Sequence, residues 1–210
     1  ACTAFTGGCN FRCPFCHTSD RVKKTGLNKI TDDEFFSFLK KRTGRLDGVC
    51  ISGGEPLLQS DLTEFAKKIH GMGFSVKLDT NGYMPDRLRS FTESGFCDFI
   101  AMDIKNSPQK YAATVGLAEV DTDKILESIE YIKSCGIDHE FRTTVAREFH
   151  NADDIREITK MLAGEERYFI QPYKESDGVM VKGLHGFDAA ELAVLLSAAR
   201  ENILAAEIRG

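Results

Sequence analysis

Three cysteines in one short segment are the residues of this sequence best suited to chemistry. Cys9, Cys13 and Cys16 lie in the stretch CNFRCPFC, with the spacing C-x3-C-x2-C, and Phe15 precedes the last of them. Three thiolates on one compact loop can ligate three irons of a cubane iron–sulfur cluster. Because no fourth cysteine lies nearby, the fourth iron would keep an open position for a small chelating ligand.

Two other uses of these cysteines remain open. A structural zinc ion takes four ligands in a closed tetrahedron, and here the fourth would be a distant residue or His17, which directly follows Cys16. An electron-transfer ferredoxin would close its cluster with four cysteines. A non-catalytic iron–sulfur or zinc module is therefore the alternative to a catalytic cluster.

The composition restricts the classes of partner. The chain has 210 residues with a net charge of −5 and a pI of about 5.6, which argues against a nucleic-acid or anionic-membrane surface. No apolar run approaches the roughly 20 residues of a membrane span. The other cysteines are scattered, and Cys50 and Cys97 stand in apolar runs typical of buried positions. We therefore expect one domain over residues 1–210 in a reducing, cytoplasmic compartment.

Strand-like and helix-like segments alternate along the chain. Helix starts are indicated by capping patterns at Thr31, Asp61 and Asp188, by Pro85 and by Asn151. The predicted strands cover residues 1–5, 48–52, 74–80, 98–105, 138–145 and 167–173. This alternation predicts an α/β fold with parallel strands, either a partial (β/α)6 barrel or a doubly wound sheet. In both arrangements, the loops after the strands build the site.

Polar motifs stand at the carboxyl ends of these predicted strands. They are SGGEP after the second strand, LDTNG after the third, AMDIK after the fourth and EFRTTV in the fifth. Each has an ordinary structural explanation: a tight turn for the glycines and for Asn81, an internal salt bridge for Asp103 and Lys105, and surface exposure for Arg142. Their common position at one edge of the sheet favours a shared site.

The cysteine motif, C-x3-C-x-Phe-C, resembles that of the radical S-adenosylmethionine (SAM) superfamily. The resemblance implies a [4Fe–4S] cluster on Cys9, Cys13 and Cys16, with SAM on the open iron. In that superfamily, reductive cleavage of SAM gives a 5′-deoxyadenosyl radical that abstracts hydrogen from a substrate. The cofactor carries the chemistry, and the protein supplies position and shielding.

The ordered set CNFRCPFCH, SGGEP, LDTNG, AMDIK and EFRTTV resembles the glycyl radical enzyme activating enzymes over essentially the whole chain. The closest resemblance is to the activating proteins of anaerobic ribonucleoside-triphosphate reductases, with pyruvate formate-lyase-activating enzymes as relatives. This implies an anaerobic activase whose substrate is a glycine of a partner glycyl radical enzyme, and whose electron donor is a flavodoxin or ferredoxin. A small-molecule radical SAM enzyme, such as a 7-carboxy-7-deazaguanine synthase, is the alternative.

The resemblance also implies the cofactor-binding residues. SAM would contact the GGEP loop, with the Glu55 carboxylate as partner for its ammonium group, and would bind a monovalent cation held by Asp79 and Asp103. The residues implied around SAM are Phe15, Cys16, His17, Gly53, Gly54, Glu55, Asp79, Asp103, Ile104, Lys105 and Arg142.

The sequence departs from the formate-lyase activators after the sixth strand. Those enzymes carry a histidine there, whereas this chain has Lys174, and His185 lies too far along to be assumed a substitute. The chain also has no cysteine-rich insertion, so the sequence predicts one cluster. Residues 174–187 are loop-like, and they are expected either to cap the barrel or touch a partner, or simply to connect the sixth strand to the last helix.

Overall fold

The computed structural model describes residues 1–23 and 30–210 of the chain. Within them, seven parallel strands form one sheet in which spatial order follows chain order. The strands are β1 (Cys2–Thr6), β2 (Gly48–Gly53), β3 (Ser75–Thr80), β4 (Phe99–Asp103), β5 (Asp138–Val145), β6 (Tyr168–Pro172) and β7 (Glu207–Ile208).

Helices lie between the strands. They are α1 (Ser19–Lys23), α2 (Asp32–Lys40), α3 (Leu62–Gly71), α4 (Pro85–Glu93), α5 (Tyr111–Thr114), α6 (Thr122–Ser134), α7 (Ala152–Met161) and α8 (Ala189–Arg200), with short 3-10 turns at Pro56–Leu58 and Pro108–Lys110. Crossovers between parallel strands are right-handed. Because the strand order never reverses, such crossovers put the helices on one side of the sheet.

The predicted α/β fold class with parallel strands is confirmed. The doubly wound alternative is wrong, since that arrangement requires the strand order to reverse, and here it is sequential. The prediction of six strands missed β7, which pairs with β6 through Glu207 and Ile208. Two residues are too few for an alternation pattern to be recognised.

The two sides of the sheet differ in composition. The helix-covered side, here called the outer face, carries uncharged side chains that are at most 1% exposed: Val49, Ile51, Val76, Leu78, Ile100, Met102, Phe141, Tyr168 and Ile170. The opposite side, here called the inner face, carries Lys77, Asp79, Asp103, Glu140 and Arg142. The site is therefore positioned at the carboxyl end of the inner face.

Most predicted helix starts are confirmed. Reciprocal capping boxes join Thr31 to Glu34 and Asp188 to Glu191, Asn151 caps α7, and Pro85 is the first residue of α4. α3 also begins directly after Asp61, as predicted, but the capping box predicted there does not form. The backbone of Asp61 has φ −99° and ψ 6°, not the extended conformation that directs a cap side chain at the first turn, and its side chain makes no cap hydrogen bond.

Among residues 1–23 and 30–210, no helix combines the length and the apolar character that crossing a membrane requires.

Candidate active-site cleft

The cysteine loop follows β1 and is anchored by two aromatic side chains. Phe11 is 1% exposed and lies 5.3 Å from the ring of Tyr83, measured between centroids. Phe15 is 3% exposed and packs 5.7 Å from Phe149. The Arg12 amide donates to the Val115 carbonyl at 2.8 Å. The loop therefore has a fixed path although it contains no regular secondary structure.

The thiols of this loop are partly or fully buried. The Phe11 amide donates to Cys9 Sγ at 3.4 Å, a backbone N–H···S contact of the kind that tunes iron–sulfur sites. Burial raises the pKa of the Cys9 thiol, and it raises that of Cys13 to about 12. Metal binding at these positions must therefore release protons. In the described part of the chain, no three His, Cys, Asp or Glu side chains converge as a single-ion site requires.

Residues 174–187 lie against the cysteine loop. The amides of Val181 and Met180 donate to the carbonyls of Pro14 and Cys16 at 3.0 and 3.2 Å, and the Ser19 amide donates to Gly178 at 3.2 Å. A Cβ atom on Gly178 would stand 2.6 Å from the His17 carbonyl oxygen, so only glycine allows this approach. The segment is thus a connection that also braces the cysteine loop, and we call it the strap.

The GGEP loop after β2 meets the backbone of β1 and of the loop that follows it. A Cβ on Gly54 would stand 1.8 Å from the Gly8 carbonyl oxygen, and Gly53 has a φ of +120°. The Glu55 amide donates to the same carbonyl at 2.8 Å. The need for both glycines is thus explained by packing within the chain, while both residues also line the cleft.

Glu55 differs from its expected position. The sequence predicts a carboxylate that faces a ligand's ammonium group, but the side chain is fully buried. Its oxygens accept hydrogen bonds from the Leu57 amide at 3.1 Å, the Thr80 hydroxyl at 2.8 Å and the Asn81 amide at 2.8 Å. Burial raises the pKa of Glu55 to about 7, although these three donors act in the opposite direction. Glu55 therefore fastens the loop after β2 to the loop after β3.

Asp103 is the centre of a charged group on the inner face. Arg142 Nε lies 2.9 Å from its Oδ1, and Lys105 Nζ lies 3.1 Å from its Oδ2. Burial alone would raise the pKa of Asp103, but the two cations outweigh it and lower the pKa to about 2. The carboxylate is consequently ionised at neutral pH. The predicted Asp103–Lys105 salt bridge is present, and the surface-exposed alternative for Arg142 is wrong because its side chain is only 12% exposed.

The same guanidinium also approaches Asp79. Arg142 Nη1 lies 3.4 Å from Asp79 Oδ1, and Lys77 Nζ lies 3.5 Å from that oxygen. Within the described residues this oxygen is buried without a hydrogen bond. The positive group found between the two aspartates is thus the side chain of Arg142.

An open cleft of about 220 Å³, continuous with solvent, lies between the cysteine loop and the inner face. It is somewhat smaller than the roughly 300–1,000 Å³ of common ligand pockets. The residues that line it are Phe5, Cys9, Phe11, Cys13, Phe15, Cys16, His17, Thr18, Val22, Ser52, Gly53, Gly54, Asp79, Thr80, Asn81, Asp103, Lys105 and Thr144.

Most of the predicted site residues line this cleft, while Glu55, Ile104 and Arg142 lie behind its wall. Glu55 and Ile104 are fully buried, and the Ile104 amide donates to the Arg142 carbonyl at 2.8 Å. Lys174 is exposed on the strap. His185 is 73% exposed and pairs with Glu148 at 2.8 Å. Neither stands among the residues that line the cleft.

Several residues that line the cleft are not predicted as site residues from the sequence. The sequence explains Asn81 as a turn residue, although the TNG motif places it at the end of β3, two residues after Asp79. Thr144 shares the inner face with Arg142 by simple alternation. Cys97 is buried as predicted, but the same prediction for Cys50 is wrong: Cys50 is half-buried on the inner face. Burial and the neighbouring Asp79 carboxylate raise the pKa of the Cys50 thiol to about 12.

Comparison with known proteins identifies a family whose sequence model matches this chain. The model of the Radical SAM superfamily matches residues 3–162. A protein of Methanocaldococcus jannaschii named as a glycyl-radical enzyme activating enzyme is 32% identical over 82% of this chain and 72% of its own length. The pyruvate formate-lyase-activating enzyme of Clostridium pasteurianum is 27% identical over 80% of this chain and 73% of its own.

Other members of the superfamily are also similar. The 7-carboxy-7-deazaguanine synthase of Thermoplasma acidophilum is 33% identical over 61% of this chain and 56% of its own length. The crystal structure of Streptococcus suis SuiB bound to the precursor peptide SuiA superposes with a TM-score of 0.77 at 16% identity. It covers 100% of this chain, which spans about half, 48%, of that protein. This last likeness concerns the fold alone.

Proposed function

The chain belongs to the radical SAM superfamily, and from this premise we propose that it is an activase that forms a glycyl radical on a larger partner enzyme. The observation that carries the proposal is one open cleft with three thiols on one wall and the Asp103–Lys105 pair on the other. The similarity to a named activating enzyme over 82% of the chain supports the choice of substrate class.

Cys9, Cys13 and Cys16 would hold the cluster. The Phe11 amide already donates to the Cys9 sulfur, and such donors are a regular feature of iron–sulfur loops. A [4Fe–4S] cluster with bound SAM supplies one-electron cleavage of SAM and the resulting hydrogen-abstracting radical. The chain's own part is to bind, orient and shield the cofactors. Phe11 and Phe15 are buried side chains of the cysteine loop itself, and they limit the access of water from the loop side of the cleft.

The opposite wall would orient SAM. Lys105 lines the cleft, and although burial alone would lower its pKa, the Asp103 carboxylate outweighs this and raises it, so the ammonium keeps its charge. A buried ammonium is a suitable partner for a ligand carboxylate. Gly53 and Gly54 expose backbone at the cleft, where peptide groups can meet an amino group without a side chain intervening. Arg142 and Ile104 would act from behind by holding Asp103 and the end of β4.

A monovalent cation between Asp79 and Asp103 remains a prediction of the family resemblance. In the structure, Arg142 supplies positive charge to both carboxylates. A cation would have to share Asp79 and Asp103 with that guanidinium. Titration of SAM into reconstituted protein, in potassium, sodium or tetramethylammonium buffers of equal ionic strength, measures this dependence. Equal affinity in all three would contradict the cation.

The function is tested by mixing reduced, reconstituted protein with SAM and a candidate glycyl radical enzyme without oxygen. We expect a glycine-centred electron paramagnetic resonance doublet on the partner and an equivalent amount of 5′-deoxyadenosine. Deuterium placed on the target glycine Cα should appear in that product, because the Cα–H bond breaks and its hydrogen atom moves to the 5′ carbon. A flavodoxin or ferredoxin is the proposed electron donor and can be compared with dithionite.

Two control variants make this test specific. Cys13→Ala should give neither the doublet nor 5′-deoxyadenosine, whereas Cys97→Ala should give both, because Cys97 is buried away from the cleft lining. The similarity to a 7-carboxy-7-deazaguanine synthase favours one second candidate, a small-molecule enzyme. Formation of 7-carboxy-7-deazaguanine, without a radical on any cognate partner, would replace the activase proposal by that one.

A further inference from the structure

Two carboxamide side chains contact the sulfur of Cys9, one through its nitrogen and one through its oxygen. Asn81 Nδ2 lies 3.9 Å from Cys9 Sγ and donates to Asn10 Oδ1 at 2.8 Å, and the Cys9 thiol donates to the same Asn10 oxygen at 3.7 Å. Neither asparagine has a part in the function proposed above. The question is whether the Asn81 N–H group only stabilises the loop or also acts on a metal-bound sulfur.

The orientation of the Asn81 amide is fixed by its own neighbours. Its Oδ1 accepts a hydrogen bond from the Tyr83 amide at 3.0 Å, and its backbone N–H donates to Glu55 Oε2 at 2.8 Å. The side chain is 6% exposed. Because the oxygen is held by Tyr83, the nitrogen must face Asn10 and Cys9.

The orientation of Asn10 follows from that of Asn81. Asn10 Oδ1 accepts from Asn81 Nδ2 and from the Cys9 thiol, so the Asn10 nitrogen faces away from both. Asn81 lines the cleft. Asn10 therefore aligns the Asn81 amide beside Cys9, and Asn81 is the residue that presents an N–H group to the Cys9 sulfur.

We propose that Asn81, aligned by Asn10, donates an N–H group to the Cys9 sulfur of the cluster and makes the cluster easier to reduce. This inference rests on the proposed [4Fe–4S] site. Reduction adds negative charge to the cluster, and hydrogen bonds to its sulfurs stabilise that charge and raise the reduction potential. Asn81 tunes the cluster through this sulfur contact and takes no part in hydrogen abstraction.

The test compares Asn81→Ser with Asn151→Ser. Asn81→Ser loses the carboxamide N–H, while its hydroxyl keeps an oxygen that can accept from the Tyr83 amide. Asn151 caps α7, serine is an equally good cap, and the residue does not line the cleft, so this variant is the matched control. Each protein is reconstituted without oxygen, checked for iron content, and titrated electrochemically in the absence of SAM.

At a fixed applied potential, we expect the ratio of reduced to oxidised cluster to fall about tenfold in Asn81→Ser, with wild-type iron content. For a one-electron couple, this is a shift of about 59 mV to more negative potential. The control should titrate like the wild type. A wild-type potential in Asn81→Ser would overturn the inference.

A second measurement uses the wild-type protein and so does not depend on the stability of a variant. With asparagine labelled by ¹⁵N at its side-chain amide, pulsed electron paramagnetic resonance of the reduced cluster should detect a weak ¹⁵N coupling, which a ¹⁴N coupling replaces in unlabelled protein. Absence of this coupling would also overturn the inference. A wild-type protein that binds no iron would instead contradict the proposed cluster itself, so the two failures are distinguishable.

Discussion

The two faces of the sheet differ in charge and, to a smaller degree, in burial. On the outer face, Leu78 and Phe141 are fully buried among other uncharged side chains. On the inner face, Glu140 is only 5% exposed and Arg142 only 12%, yet both are charged. The outer face therefore stabilises the fold by ordinary apolar burial. The inner face retains charges whose desolvation is costly, which is typical of a site that handles a polar ligand.

Charges on the inner face pair across the strand that lies between them. Ala101 on β4 lies between Asp79 and Glu140 in the register of β3, β4 and β5. Lys77 on β3 reaches across β4 to Glu140 on β5 at 3.2 Å. We therefore expect a larger residue at Ala101 to crowd the charged side chains on either side of it.

The largest expected difference concerns cysteines in and outside the cleft. Cys13→Ala removes a proposed ligand, and bound iron should fall from about four per chain to a small residual fraction. Cys97→Ala changes a buried cysteine whose Sγ meets the Phe99 carbonyl, and iron binding should persist. Iron analysis and visible absorption after anaerobic reconstitution give the answer. Equal iron contents for the two variants would contradict the assignment of the cluster.

Two substitutions, one on each face of the sheet, compare the effects of the faces on stability and on SAM binding. Asp103→Ala leaves Arg142 and Lys105 without their shared carboxylate, and it should cost about 3–5 kcal/mol of unfolding free energy. It should also weaken SAM binding at least about tenfold. Leu78→Ala should cost about 2–5 kcal/mol by leaving a cavity, but SAM affinity should remain within about twofold. Urea unfolding and SAM titration measure the two effects. A loss of affinity in Leu78→Ala as great as in Asp103→Ala would remove the functional distinction between the faces.

Glu55 should make stability depend on pH, whereas Asp103 should not do so near neutrality. The folded-state pKa of Glu55 is raised to about 7 by burial. Its contribution is therefore complete below its ordinary value near 4.5 and is lost as the pH rises through about 7. From pH 5 to pH 8, wild-type stability should fall by about 2 kcal/mol relative to Glu55→Gln. Asp103 has a folded-state pKa of about 2, so its contribution is present throughout this range and is lost only in stronger acid.

Urea unfolding of both proteins at several pH values provides the measurement for Glu55. Parallel stability curves for the wild type and Glu55→Gln would show that the three donors to Glu55 compensate fully for its burial.

The smallest effect distinguishes two similar sequence patterns at helix starts. Asp188→Ala removes a side chain that accepts from the Glu191 amide at 2.9 Å, and it should cost about 1 kcal/mol. Asp61→Ala removes no cap hydrogen bond and should change stability by less than about 0.5 kcal/mol. Thermal unfolding of the two variants and the wild type measures both changes in stability. Equal losses would mean that the Asp61 cap forms in solution.

The alternation of strand-like with helix-like segments predicted the fold class, and the polar motifs at the strand ends predicted where the site lies. The same reasoning placed Asp79, Asp103 and Lys105 at one cleft. It could not predict that Glu55 turns its carboxylate toward Leu57, Thr80 and Asn81, since a motif does not state which side of a loop faces the ligand. Likewise, the bracing of the cysteine loop by the strap is a tertiary contact with no local pattern in the sequence.

That bracing has a consequence for the order of events during synthesis. The three clustered cysteines are made early, but the strap amides that contact Pro14 and Cys16 belong to Met180 and Val181. Val181 is translated 165 residues after Cys16. At about 5–20 residues per second, the thiols exist for roughly 8–33 s before their backbone partners have been made. The nascent chain would thus carry an unbraced set of thiols for that interval, and completion of the loop would have to await the C-terminal third of the protein.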